Sequence, residues 1–279
     1  MRIDVRKTYK LFIGGQFPRS ESGRSYELFS PKNKKFIANP ALASRKDLRD
    51  AVVAARAVAE KWASATAFNR GQILYRVAEM MEGRTAQFVD EAVAQEGITV
   101  AQATKQVKAA IDLWVWYAGW CDKVSTIYGA TNPVSGSFYN FTTPEPMGVV
   151  AVFIDGRSSV LDLVHGIAPV LAAGNTSVVI ANEKMPLSAI TLAEVIATSD
   201  VPGGVINILT GRSEELAPWV GSHMDIDAVD ATGLTPALHE EISRLGADNL
   251  KRIFRFDGAS PQRILSFMEH KTVWHPIGI

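Results

Sequence analysis

Cys121 is the only cysteine in the 279 residues and so the only source of a thiolate nucleophile in this chain. It follows Trp114, Trp116, Tyr117 and Trp120, an aromatic run with the density of a buried helix. An apolar setting raises a thiol's pKa and suppresses the thiolate, so the expectation is a core thiol. A second candidate is the turn Asp155-Gly156-Arg157-Ser158-Ser159, which follows an apolar run. It reads either as a serine-capped strand-to-helix turn or as an anion site made of Arg157, Ser158, Ser159 and a helix N-terminus. Histidines 165, 223, 239, 270 and 275 show no metal-ligand spacing. Ser158, Ser159 and Ser260 lack the context of a nucleophile elbow. No catalytic residue and no metal ligand is therefore assigned.

The elements that position these residues come in two kinds. From residue 44 to 122 the periodicity is helical. Ser44 and Asp47 make a capping box, and Leu48, Val52, Ala55 and Val58 run as a stripe into Trp62. Helices follow around Ile73–Met81 and Phe88–Val93, with a long one predicted over Gln102–Asp122. Ahead of them, Leu11–Pro18 reads as a hairpin about Gly14-Gly15. Residues 125–144 carry β-branched and aromatic residues around Asn-Pro and Ser-Gly turns, the pattern of an exposed antiparallel hairpin. From Gly148 a βαβ rhythm begins. Strands are predicted over 149–154, 176–181, 205–209 and 226–230, with helices over 161–173, 186–198 and 214–220. Continuous apolar strands separated by such helices give an α/β chain with a doubly wound, Rossmann-like parallel sheet.

Composition narrows the function classes. Hydrophobic residues make up 47% and charged residues 21%, an ordinary globular balance. Lys plus Arg and Asp plus Glu are 29 each, with no basic stripe to bind nucleic acid. No apolar run approaches the ~20 residues that span a bilayer, so no membrane partner is expected. The start, Met1-Arg2-Ile3-Asp4-Val5-Arg6-Lys7, lacks a signal-peptide core. A lone cysteine fits a reducing cytoplasm.

Several segments, in order, resemble the N-terminal half of the aldehyde dehydrogenase superfamily. They are Leu11-Phe12-Ile13-Gly14-Gly15-Gln16, Glu145–Val150, Ile167–Thr176, Pro186–Ala189 and Pro202–Gly211. The resemblance covers about Lys10 to Gly233 and implies that superfamily's nucleotide-binding fold. It also implies departures at the residues that do the chemistry. The family's Pro-Trp-Asn triplet, whose asparagine amide serves as oxyanion donor, falls on Asp155-Gly156-Arg157. Loss of one such donor typically costs ~10²–10³ in turnover. The family's cofactor lysine falls on Ile180, which cannot bond a ribose. Glu183 matches a family residue near that ribose. The phosphate-side loop falls on Thr232-Gly233-Leu234. Cofactor-binding candidates are thus Glu183, Gly211 and Gly233, with NAD(P) binding weakened by Ile180 and Leu234.

Family members are nearly twice as long, and the resemblance implies that their cysteine-bearing catalytic domain is absent here. Leu265–Trp274 resembles the family's C-terminal strand, which implies an internal excision between Leu245 and Gln262; Leu250–Gly258 matches either side of it. The expected organisation is a discontinuous nucleotide-binding unit (1–124 and 147–262) and an oligomerisation unit (125–146 and 263–279). The tail strand is expected to pair with a partner's hairpin, with pairing onto its own hairpin as the alternative.

Three functions fit these residues. The first is a non-catalytic assembly subunit, homo-oligomeric or paired with a full-length aldehyde dehydrogenase. The second is an NAD(P)-dependent oxidoreductase with an atypical or shared site. The third is a nucleotide or anion sensor built on the 155–159 turn.

Overall fold

A computed structural model describes residues 7–278. The leader expectation for Met1–Arg6 lies outside the described residues. In chain order the elements are β1 (Leu28–Phe29), β2 (Phe36–Ala38), α1 (Arg45–Ala63), α2 (Ala67–Glu82), α3 (Thr85–Glu96), α4 (Val100–Ala118), α5 (Val124–Tyr128), β3 (Ala130–Thr131), β4 (Phe138–Pro146), β5 (Val149–Phe153), α6 (Leu161–Ala172), β6 (Thr176–Ile180), α7 (Leu187–Ile196), β7 (Ile206–Leu209), α8 (Ser213–Ser222), β8 (Ala228–Asp230), α9 (Pro236–Leu245), a 3-10 turn (Gly246–Asn249), β9 (Arg252–Phe254), α10 (Pro261–Leu265) and β10 (Met268–Pro276).

Strands β5 to β8 are buried along their whole length because both faces of their sheet are covered. Val149, Ala151 and Phe153 face the layer of α1, α8 and α9, together with Val178, Ile180 and Val229. Val150, Val152, Val179 and Ile208 face α6 and α7, with α2, α3 and α4 stacked beyond. The sheet is all parallel in the order β7-β6-β5-β8-β9. It therefore agrees with the doubly wound expectation and adds a fifth strand. That strand, β9, lies inside the ambiguous Leu250–Gly258 segment. Lys251, Arg252 and Arg255 interrupt its apolar pattern. As an edge strand it has one solvated side, where Arg252 pairs with Glu269 at 3.0 Å.

The opposite edge is covered by the N-terminal hairpin. Phe12 and Ile208 exchange two backbone bonds of 2.9 and 2.7 Å. Gly14 and Gly15, with φ of +61° and +81°, supply the left-handed turn.

The second sheet is a three-stranded antiparallel arm in the order β10-β4-β3. Nine residues of β10 pair with β4, from Met268 opposite Pro146 to Pro276 opposite Phe138. The tail strand thus pairs with the hairpin of its own chain, the second of the two expected pairings. Asn175 fixes the base of the arm. Its amide accepts from Gly148 N–H at 2.8 Å and donates to the Phe267 carbonyl at 2.8 Å. Among the described residues, no helix is long and apolar enough to cross a membrane.

Candidate functional site

The loops after β5, β6, β7 and β8 all open on the same side, the C-terminal edge of the parallel sheet. From β5 the chain turns toward β6 and from β8 toward β9, so their loops diverge and leave a crevice, the usual ligand position in such folds. A cleft of 670 Å³ lies here, walled by Glu96, Asp155, Arg157, Glu183, Lys184 and Thr235.

The 155–159 turn forms one wall, and its donors are already used. Asp162, in the first turn of α6, accepts from the N–H groups of Arg157 and Ser158 at 2.9 and 2.8 Å. Glu96, at the end of α3, accepts from Ser159 N–H at 2.9 Å and from the Ser159 hydroxyl. The Ser158 hydroxyl caps Leu161 N–H at 3.1 Å. The Arg157 guanidinium reaches Asp155 at 2.6 Å and Asp257 at 3.2 Å. Burial pushes the Asp162 carboxyl above its usual range, and the bonds from Ser158 and Arg157 pull the other way. The groups expected for an anion site at Arg157, Ser158 and Ser159 therefore have partners within the chain. Carboxylates of the chain itself occupy the donors that an external anion would need, and they leave negative charge around them.

The cofactor-binding candidates separate. Glu183 is exposed on the cleft rim, near Tyr26, whose phenol is pushed up by burial and then by the Glu183 charge. Gly233 also lines the cleft, but a Cβ there would lie 2.4 Å from the Ile154 carbonyl oxygen. Its N–H donates to the Phe153 carbonyl at 3.0 Å, so close approach to β5 accounts for the glycine. Gly211 packs against Ala43 and Leu216 and does not line the cleft. Ile180 and Leu234 are 1% and 3% exposed and belong to the apolar layer beneath α1, α8 and α9. Neither presents a polar atom to the cleft.

Cys121 sits elsewhere. The long helix stops at Ala118, capped at Gly119, four residues short of the predicted end at Asp122, so Cys121 occupies the turn before α5. It is 4% exposed, and its Sγ–H donates to the Tyr117 carbonyl at 3.6 Å. Burial pushes its thiol up to about 11, with the nearby Arg70 opposing. Cys121 thus packs in the helical layer and does not line the cleft.

Beneath the cleft lies an ion pair that sequence reasoning misses. Arg263 of α10 reaches Asp230, the last residue of β8, at 2.7 Å, with both side chains buried. Arg263 also donates to the Gly258 carbonyl at 3.2 Å and stacks 4.6 Å from the Phe256 ring centre. Asp230 further accepts from Thr232 N–H at 3.0 Å and from its hydroxyl. His165 of α6 is nearby; burial, then the charges of Arg263 and Arg157, push its imidazole down to about 4. Asp230 ends an apolar strand and Arg263 is 33 residues away, with no motif linking them. Among the described residues no group of three or more His, Cys, Asp or Glu could hold a metal ion.

A sequence model described as the aldehyde dehydrogenase family matches residues 17–271. Aldehyde dehydrogenase 1A1 of Gallus gallus is 34% identical over 94% of this chain and 52% of its own length. Retinal dehydrogenase 2 of Homo sapiens is 33% identical over 95% of this chain and 51% of its own. The NAD+ complex of an aldehyde dehydrogenase from Bacillus cereus superposes with a TM-score of 0.83 at 28% identity, covering 88% of this chain and 50% of that one. The chain spans about half the length of the curated relatives it matches.

A nicotinamide dinucleotide brings a pyrophosphate that needs free N–H donors or cations. The N–H groups of residues 157–159 are held by Asp162 and Glu96. At the start of α9, Pro236 has no N–H, and Thr235 caps Leu238 N–H at 3.4 Å. Glu96, Asp155, Glu183 and Glu214 line the same cleft against Arg157 and Lys184. These residues do not fit a dinucleotide.

Proposed function

This chain belongs to the aldehyde dehydrogenase family, and from that premise we propose that it is a non-catalytic member acting as an assembly subunit. The observation that carries the proposal is the contrast between a spent cleft and an intact arm. In the cleft, the chain's own carboxylates hold the 157–159 donors, and the only thiol is buried in another layer. On the arm, β10 and β4 are fully paired, yet Phe138, Tyr139 and Trp274 stand in solvent at 42%, 47% and 58% exposure. Phe138 and Trp274 meet edge-on with ring centres 5.7 Å apart, and Tyr139 and Phe141 lie 5.4 Å apart. Exposed aromatic clusters on a projecting sheet are a feature of association surfaces. The partner is a second copy or a full-length aldehyde dehydrogenase.

The test is to purify the chain alone and after co-expression with a full-length relative, measuring native mass and NAD(P)H formation over a panel of aldehydes. The expected result is an oligomer without turnover by the pure chain. A strict monomer in both preparations defeats the assembly role, and sustained turnover defeats the non-catalytic one.

A further inference from the structure

A groove of 650 Å³ lies between the first turns of α1 and the last turn of α8, and it shares no lining residue with the cleft or the arm. Helical spacing builds both walls. Arg45, Leu48 and Arg49 stand at i, i+3 and i+4 on α1, and Trp219, Ser222 and His223 repeat that spacing where α8 ends. Leu48 belongs to the buried layer beneath, whereas Trp219 and Met224 stay exposed at 39% and 65%. The charges are unevenly matched. Lys46 meets Glu21 at 3.6 Å and Arg49 meets Asp50 at 2.7 Å. Among the described residues, no carboxylate and no hydrogen-bond acceptor engages the Arg45 guanidinium. It lies over the Trp219 ring instead, 3.8 Å from the ring centre. Stacking of this kind orients a guanidinium and leaves the donors around its edge free. His223 Nδ1 accepts from Asp225 N–H at 3.2 Å, which leaves the ring proton on Nε2 as a further donor. The N-terminus of α1 adds nothing, because Ser44 and Asp47 satisfy each other there in a capping box.

We propose that this groove binds a small organic carboxylate with an apolar tail, its head on Arg45 and its tail against Leu48, Trp219 and Met224. The head follows from the donor. One unpaired guanidinium fork matches two coplanar oxygens, and charge-assisted pairs of this geometry are the stronger kind. A phosphate dianion calls for a second unpaired cation, and Lys46 and Arg49 already have carboxylates beside them. The tail follows from the surface. Covering an exposed indole and a thioether side chain removes apolar area from water, and the volume is that of an ordinary small-molecule site. An acidic peptide is drawn by the same charge but brings no apolar body to cover Trp219 and Met224. The site uses no residue of the arm and is independent of the assembly reading.

The test is calorimetry of the full chain with octanoate, compared with acetate (the head alone), 1-octanol (the tail alone) and a hexaglutamate peptide. Octanoate is expected to bind saturably and roughly tenfold or more tighter than either half. Arg45→Met should weaken octanoate roughly tenfold or more. Arg45→Lys should remain several-fold weaker than wild type, because an ammonium lacks the planar fork. Arg45 and Trp219 are exposed, so an unchanged urea midpoint is expected for their variants. Absence of saturable heat with octanoate overturns the proposal, as does equal affinity in Arg45→Met or tighter binding of hexaglutamate. Should Arg45→Met fold poorly, the Trp219 indole N–H signal, identified by its loss in Trp219→Phe, decides. It is expected to shift with octanoate and not with acetate; no shift with octanoate overturns the site.

Discussion

At the C-terminal edge of the parallel sheet, Asp162 and Glu96 take up the donors of residues 157–159, and Arg263 neutralises Asp230. On the arm, β10 keeps a bare edge and the aromatic side chains of Phe138, Tyr139 and Trp274 have no covering layer. Both regions belong to one family scaffold, but their polar and apolar groups end differently. In the first region the N–H groups of residues 157–159 and the Asp230 carboxylate are satisfied from within, which stabilises a fold and leaves little there for a ligand to gain. The second holds unspent binding capacity, because both backbone edges and apolar surface improve on being covered. The contrast supports the proposal that the chain's assembly interactions lie on the arm.

The largest expected effect breaks the closed region. Arg263→Met leaves Asp230 as an uncompensated buried charge and should cost about 3–5 kcal/mol, read as a lower urea midpoint. The Asp230→Leu/Arg263→Met double variant should recover much of the loss; equal losses would show that the pair does not act as a unit. Asn175→Ala removes the link between β5 and the arm's base. With Gly148 N–H and the Phe267 carbonyl left unpaired, about 1–3 kcal/mol should be lost. Amide exchange should speed up at the start of β10 before it does in β5.

A pH effect sharpens the same contrast. His165 is held neutral, its folded pKa pushed down from 6.5 to about 4 by burial first. A depressed folded pKa means the stability is present above pH 6.5 and is lost as pH falls through the window toward 4. The full shift corresponds to about 3 kcal/mol, which partial solvent screening of the imidazole reduces to on the order of 2 kcal/mol. His165→Phe should flatten the stability profile between pH 6.5 and 4; an unchanged slope would remove His165 as the cause. The smallest expected effect is at Arg157, whose ion pairs are exposed. Arg157→Ala should change stability by no more than about 0.5 kcal/mol, and calorimetry with NAD should show no binding heat before or after the substitution.

Much of the parallel sheet is legible because strands buried on both faces must be continuously apolar, as in Val149–Phe153 and Thr176–Ile180. The capping box at Ser44 and Asp47 is equally local, and the structure forms it. Strand β9 is hidden because Lys251, Arg252 and Arg255 mask an edge strand. The cleft is only half legible. The turn at 155–159 is visible in sequence, but its occupant Glu96 lies 63 residues away from Ser159. Arg263 and Asp230 carry no spacing rule at all. The tail's pairing is ambiguous for a physical reason: a strand makes the same ladder bonds with its own hairpin as with a neighbour's.

Light scattering of the pure chain, wild type against a Phe138→Ser/Trp274→Ser variant, tests the central contrast most directly. The expected result is an oligomer that becomes monomeric in the variant, with the urea midpoint nearly unchanged because both residues are solvent-facing. A variant that stays oligomeric would contradict the assignment of assembly to the arm, and a wild-type monomer would contradict self-assembly.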